Sequence, residues 1–246
     1  MRITTYEDLM RLLDGLYSGG ADRSSHDAAP FWDNLLQQQD HPLHTDLPDA
    51  ALVAWQEEGL LDAGEAGAGE PRALDVGCGL GRNSRWLASQ GFSVTGVDIA
   101  PYAVAEATRR SAGLAADFLE VDFVREPVPG SPFDLVYDSG CFHHLAPHRR
   151  ISYMEALRDC LAPGGLFGIC TFTAGEMGTT ASDEELLLQR GLEGGIAYTL
   201  DELSEMFSWL EPVDARQMPA PHHQGHGHGH EVFSHDFLQV ALFRRG

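Results

Sequence analysis

The chain of 246 residues contains no lysine, so its 16 basic side chains are all arginine, set against 37 aspartates and glutamates. A mechanism built on an amine Schiff base is thereby excluded. The net charge of −21 and the pI near 4.7 repel phosphate backbones and anionic lipid heads. Neither nucleic acid nor a membrane surface is therefore expected as a partner. The arginines gather only in pairs, such as Arg109–Arg110 and Arg149–Arg150, and never in a stripe. Long apolar runs are also missing, as is an apolar leader after Met1. The expectation is a cytoplasmic protein without a membrane span. The four cysteines, Cys78, Cys141, Cys160 and Cys170, form no CxxC pair. Reduced thiols are expected of them, and no metal centre.

What is present is periodicity, with a 43% hydrophobic content that suffices for one α/β domain. Leu9, Leu12, Leu13 and Leu16 repeat at helical spacing and predict an amphipathic helix over 6–17, capped by Thr5 and Asp8. A polar, irregular stretch holding Phe31-Trp32 and His41-Pro42-Leu43-His44 follows. A second helix is expected over 49–61, then a Gly/Ala/Glu linker over 62–70. From residue 72 strands and helices alternate. Strands are expected at 72–76, 92–98, 117–121, 133–137 and 165–172. A helix over 147–161 would bury Ile151, Met154, Leu157 and Leu161. Later helices are expected near 183–190 and over 200–209. The last strands, 211–218 and 236–244, are too close for a helical crossover and should form an antiparallel hairpin. This pattern defines an α/β fold with a mostly parallel sheet. It divides the chain into an N-terminal helical cap and linker (1–70) and a sheet domain (71–246). Within the latter lie a glycine-punctuated insertion suited to a lid (173–199) and a His/Gly-rich hairpin loop (219–235).

The stretch Leu-Asp-Val-Gly-Cys-Gly-Leu-Gly-Arg-Asn-Ser, residues 74–84, follows the first strand. Gly77, Gly79 and Gly81 are spaced G-x-G-x-G, and Arg82 stands where a dinucleotide turn places its third glycine. The G-x-x-x-x-G-K-[ST] of a phosphate loop is absent. Asp75, just before the turn, is unwelcome beside a diphosphate and suits a cationic ligand. Asp98 ends the second strand, where a carboxylate can take both hydroxyls of a ribose. Asp122, with Phe123, ends the third, where it can accept an adenine amino group. Strand ends of an open α/β sheet line one crevice. The turn is thus read as built for a positively charged, phosphate-free nucleoside.

These residues closely resemble the class I S-adenosylmethionine-dependent methyltransferases. Leu74–Gly81 matches their first motif, Val97-Asp98 their acidic second strand end, and Leu161-Ala-Pro-Gly-Gly-Leu-Phe the turn into their fifth strand. The resemblance covers about residues 72–172. It implies a Rossmann-like, seven-stranded sheet of order 3-2-1-4-5-7-6, the last strand antiparallel, and S-adenosyl-L-methionine as cofactor. The implied cofactor-binding residues are Asp75, Gly77, Cys78, Gly79, Gly81, Asn83, Asp98, Ile99, Asp122, Phe123 and Ser139. The run from Gly81 to Leu87, with Phe31-Trp32 ahead of it, is most similar to the tellurite-resistance and thiopurine branch, which acts on small molecules.

The implied reaction is in-line displacement of the methyl group onto a heteroatom (S, O or N) of a small-molecule acceptor. The run Tyr137-Asp-Ser-Gly-Cys-Phe-His-His-Leu follows the fourth strand, beside the expected methyl position. His144, with His143, is the candidate base, since imidazole titrates near neutrality. The competing reading has one of the pair merely packing beneath the helix. Cys141 is read as a small strand-end residue facing the acceptor. Tyr17, Phe31 and Trp32 are acceptor-site candidates, with Tyr6 and Trp55 as further aromatics of the cap. His222, His223 and His235 are candidates from the His/Gly loop. That loop also supports two alternatives: a solvated connection, or a metal-handling protein that uses its imidazoles. A peptide or protein side chain as acceptor is the other alternative.

Overall fold

The structure is a computed structural model that describes residues 2–16, 28–61, 69–192, 194–219 and 231–246. The sequence-based linker falls almost entirely outside these residues, as do Tyr17, His222 and His223.

The five parallel strands expected from the pattern are β1 (Arg72–Val76), β2 (Ser93–Asp98), β3 (Ala116–Glu120), β4 (Phe133–Ser139) and β5 (Leu161–Thr173). A two-residue β6 (Ala197–Tyr198) adds to β5, and β7 (Glu211–Gln217) and β8 (Leu238–Arg244) complete the sheet. The order is β3-β2-β1-β4-β5-β8-β7, with β8 antiparallel to both β5 and β7. Apart from the small β6, this is the expected 3-2-1-4-5-7-6 arrangement. β5 begins four residues earlier than the pattern gave, because Leu161 pairs with Phe133 across a register irregularity.

Helices cover both faces of the sheet. α4 (Arg82–Ser89) and α5 (Pro101–Arg110) follow β1 and β2, and α6 (Arg149–Cys160) leads into β5. α3 (Ala50–Glu57) is apolar almost all round, as a helix must be when it is buried on every side. Its Leu52 and Trp55 are fully buried against Leu135, Tyr137 and Leu166 of the sheet. Gly168 makes room for them, since a Cβ there would stand 3.0 Å from Trp55 and 2.9 Å from Tyr137. Trp55 is therefore a core residue, with its indole N–H donated to Asp214 at 2.8 Å. α7 (Asp183–Gln189) and α8 (Leu200–Met206) both start at capping boxes, Ser182 with Glu185 and Thr199 with Glu202.

Four expectations need correction. The stretch around Phe31-Trp32 is not irregular but forms α2 (Ala28–Leu36), which packs Leu36 against Leu80, Ala100 and Ala103. α1 (Tyr6–Leu16) forms with its Thr5–Asp8 cap, but it buries Met10 and Asp14 and leaves Leu9, Leu12 and Leu16 substantially exposed. α6 buries Tyr153, Leu157 and Cys160 but leaves Ile151 44% exposed. In both helices polar anchors set the rotation: Arg149 donates to Asp14, and the Tyr153 hydroxyl donates to Asp138 at 2.7 Å. A buried charge without its partner costs more than an exposed leucine. Residues 173–199, expected as a lid, are built into the sheet edge. Leu186, Leu192, Ile196 and Tyr198 enter the core, and the Ile196 N–H bonds the His143 carbonyl at 2.7 Å. Among the described residues, no helix is long and apolar enough to cross a membrane.

Candidate active site

Parallel pairing sets Val76 opposite Val97 and Asp98 opposite Glu120, so the ends of β1, β2 and β3 open on the same edge. A cavity of about 590 Å³ lies there. Gly77, Gly79 and Gly81 all have positive φ (64°, 52° and 77°), which explains glycine at alternate positions. A Cβ on Gly77 would lie 2.9 Å from the Cys141 Cβ, so bare backbone lets the loop after β4 close onto the turn. At Gly79 nothing lies within 4 Å of the missing Cβ, and its backbone faces the cavity. Gly81 is not on the wall; it starts α4 and packs against Ala107 and Phe118.

The carboxylates hold the turn in place. Asp98 accepts the N–H groups of Gly79 and Ala100, both at 2.9 Å, and so ties the turn to the end of β2. Burial raises its pKa, against the pull of those two bonds. Asp75 is almost fully buried, accepts the Ser84 hydroxyl at 2.5 Å and is pushed up to about 7 by desolvation. Asp122 accepts the Val124 N–H at 3.2 Å and pairs with Arg125, whose other nitrogen donates to Asp14 at 3.0 Å. Through Arg125, α1 reaches the end of β3. Phe123 packs edge-on against Tyr153, and Ile99 completes this side of the wall.

The β4 side is organised by Asp49, a residue the sequence reading passed over as a helix start. Its side chain makes no cap bond. It is instead fully buried and accepts from Arg82 at 2.5 Å, Asn83 at 3.1 Å, Tyr137 at 2.6 Å and Ser139 at 2.5 Å. Asn83 returns a bond by accepting the Asp49 N–H at 2.9 Å, and Arg82 also donates to Ser139 at 3.0 Å. Asn83 and Ser139 thus reach the cavity wall with side chains oriented by Asp49. A signal was available. Asp49 precedes the all-apolar Ala-Ala-Leu-Val-Ala-Trp, and a carboxylate leading a fully buried helix needs a cation, for which Arg82 is at hand.

Asp138, also raised to about 7 by burial, accepts the Cys141 N–H at 2.7 Å and shapes the loop that carries Cys141, His143 and His144 to the cavity. Desolvation lifts the Cys141 thiol well above its ordinary pKa, so it stays a neutral packing group. The His143 and His144 Nε2 atoms are 3.1 Å apart. His143 Nδ1 accepts the Phe172 N–H at 3.3 Å, and His144 Nδ1 lies 2.8 Å from the Gly194 carbonyl. One proton assignment satisfies all three contacts: His143 carries hydrogen on Nε2, and His144 on Nδ1. Trp32 lines the cavity and meets His144 edge-on at 4.9 Å. Phe31 stands behind it at 5.2 Å, away from the wall, while Tyr6 is exposed. His235 lines the cavity.

The carboxylates of Asp75, Asp98 and Asp122 wall a crevice at the strand ends of a 3-2-1-4-5-7-6 sheet, the Rossmann-like arrangement of the methyltransferase fold. Residues 73–165 match the family described as a methyltransferase domain. The chain is 30% identical over 161 residues to a sterol 24-C-methyltransferase of Gibberella zeae, covering 62% of this chain and 40% of that one. It is 36% identical over 102 residues to a ubiquinone biosynthesis O-methyltransferase of Cereibacter sphaeroides, covering 41% and 40%. It thus spans less than half the length of these relatives. The N-methyltransferase NodS of Bradyrhizobium japonicum, solved with S-adenosyl-L-homocysteine, shares the fold at 17% identity and a TM-score of 0.58, over 88% of this chain and 97% of that one. Residues 73–165 thus resemble a methyltransferase domain, set in a fold shared with a methyltransferase solved with S-adenosyl-L-homocysteine.

Proposed function

We propose that this protein moves the methyl group of S-adenosylmethionine onto a heteroatom of a compact small molecule by in-line displacement. One observation carries the reading: a bare glycine turn and the carboxylates of Asp75, Asp98 and Asp122 converge on a single cavity of about 590 Å³. That volume falls within the roughly 300–1,000 Å³ of small-molecule sites and must serve cofactor and acceptor together, which favours a compact acceptor over a peptide.

The residues fit the cofactor. The two guanidiniums on the wall are already paired, Arg82 with Asp49 and Arg125 with Asp122 and Asp14. A diphosphate would meet no unpaired guanidinium there among the described residues. A ligand with ammonium and sulfonium charges and two ribose hydroxyls meets carboxylates instead. Asp75, Gly77, Cys78, Gly79, Asn83 and Ser139 would hold its methionine end, Asp98 and Ile99 the ribose, and Asp122 and Phe123 the adenine, with Gly81 only shaping the turn. When bound, the cofactor supplies a methyl group on an activated leaving group.

The chain must then align the acceptor, exclude water and take up a proton. Of residues 1–70, the described α2 acts as a cap over the 71–246 domain. Support comes from Asp33 in α2, which accepts the Tyr102 N–H at 3.0 Å, and from the Trp32–His144 contact across the cavity. His144 receives the proton of a protic acceptor on Nε2, once that nitrogen has parted from the His143 N–H.

Calorimetry tests the reading. S-adenosylhomocysteine binds, NAD and ATP do not, and Asp98→Ala weakens binding by about 1.5–3 kcal/mol, the worth of hydrogen bonds to a charged group. Methyl-labelled cofactor then labels a small molecule in the extract of the producing cell. Binding of NAD or ATP in place of the homocysteine compound would refute the assignment.

A further inference from the structure

The β4–β5–β8 half of the cavity is walled by rings in an unbroken arc. Trp32 meets His144 at 4.9 Å, His144 meets His143 at 4.3 Å, and His143 stacks on Phe172 at 3.8 Å. Phe172 meets Phe237 at 6.1 Å, Phe237 stacks on His235 at 4.7 Å, and His235 meets Phe233 at 4.9 Å. Arg82 closes the arc with its guanidinium 4.2 Å from the Phe233 ring centre. Every member lies on the cavity wall, whereas Asp75, Asp98 and Asp122 stand at the ends of β1, β2 and β3 on the other half.

We propose that this arc is the acceptor subsite and that its ligand is a flat, uncharged aromatic molecule bearing an ionisable O–H or N–H. The reaction rests on the methyl-transfer reading above; the class of ligand rests on the arc.

Three features select this class. Rings at these spacings offer faces and edges that pack best against another π-system. The charge of Arg82 is spent on Asp49, and the acidic chain repels anions, so among the described residues of the arc a carboxylate or phosphate ester finds no unpaired guanidinium. The arc holds no carboxylate for an alkylammonium group, whose nitrogen lone pair is in any case blocked by its proton at neutral pH. A phenol or an N–H heteroaromatic becomes nucleophilic by releasing its proton to His144 Nε2 once that nitrogen has parted from the His143 N–H. The bond-making oxygen or nitrogen then attaches to the methyl carbon as the methyl–sulfur bond breaks, its electron pair remaining on the sulfur of the departing thioether.

The test titrates the full chain, with and without saturating S-adenosylhomocysteine, with four probes: 2-naphthol, 4-hydroxyquinoline, 2-naphthoate and cyclohexylamine. The first two bind and compete with each other. The naphthoate and the amine bind on the order of tenfold more weakly or worse, since each buries an unpaired charge. Phe172→Leu and Phe237→Leu each weaken 2-naphthol roughly two- to tenfold while leaving the affinity for S-adenosylhomocysteine unchanged. Equal or tighter binding of either charged probe overturns the inference, as does absence of naphthol binding or wild-type naphthol affinity in both variants. Naphthol binding without any binding of S-adenosylhomocysteine would instead sink the methyl-transfer reading and leave the aromatic subsite standing.

Discussion

The Nε2 atoms of His143 and His144 face each other at 3.1 Å, and only one of them can carry hydrogen. The Phe172 N–H and the Gly194 carbonyl decide which. Long-range proton–nitrogen NMR correlation of the neutral protein should therefore find His143 as the Nε2–H tautomer and His144 as the Nδ1–H tautomer. Two Nε2–H rings would exclude the contact. An added proton must part the rings, because both facing nitrogens would then be protonated. His144→Ala should lower kcat on a protic acceptor by about 10²–10⁴, the usual worth of a positioned base, with cofactor affinity unchanged. Full activity across the pH range would remove His144 from the chemistry.

Asp49 supplies a stability prediction. Arg82 is 8% exposed, and Asp49 is its ion-pair partner at 2.5 Å. Asp49→Ala should cost about 3–5 kcal/mol in urea unfolding, as expected when one partner of a buried pair is removed. It should also weaken S-adenosylhomocysteine, because Asn83 and Ser139 lose the acceptor that orients them. A loss below about 1 kcal/mol would mean that another group carries the Arg82 charge.

The core strands were legible because β1, β2, β4 and β5 are stretches with buried apolar residues bounded by turn residues, a local signal. The glycine turn and the acids Asp75, Asp98 and Asp122 were legible for the same reason, since each lies beside its own strand end. What escaped was non-local. Asp49 and Arg82 are 33 positions apart and meet only once α3 lies on the sheet. The apolar stripe of α1 looked like a core face, yet Asp14 turned it outward to reach Arg149, 135 positions away. α2 was missed because Ala28-Ala-Pro-Phe-Trp-Asp carries no stripe of its own; it is held by packing on α5 and by the Asp33–Tyr102 bond. Helical periodicity reports where apolar atoms could go, and buried ion pairs can overrule it.

Asp75 predicts a pH dependence of binding. Burial raises its carboxyl to about 7 in the free protein, while a cationic ligand prefers the carboxylate. Affinity for S-adenosylhomocysteine, with its α-ammonium group, should therefore rise between about pH 6 and 8, with proton release that differs between buffers of unlike ionisation enthalpy. Asp75→Asn should flatten the slope. An unchanged slope in that variant would assign the proton to another group, Asp138 first, which is also raised to about 7 by burial.

Asp14 should act on stability with the opposite sign. Burial alone would raise its pKa, but hydrogen bonds from Arg149, then His148 and Arg125, hold it far below the carboxylate range. A depressed folded-state pKa gives stability that is fully present above the unfolded value near 3.8 and is lost as pH falls through the folded value. For Asp75 and Asp138 the folded state holds the proton more tightly than the unfolded chain does, so their contribution is present below about 3.8 and disappears as pH rises through about 7. Wild-type stability measured by urea unfolding should therefore fall on both sides of mildly acid pH. Asp14→Asn should flatten the acid limb and leave the neutral limb intact. It should also destabilise the protein at all pH values, since Arg149 is fully buried and, among the described residues, retains only Glu7, at 3.4 Å, as a carboxylate partner. An acid limb identical to that of the wild type would show that α1 is not anchored through this carboxylate.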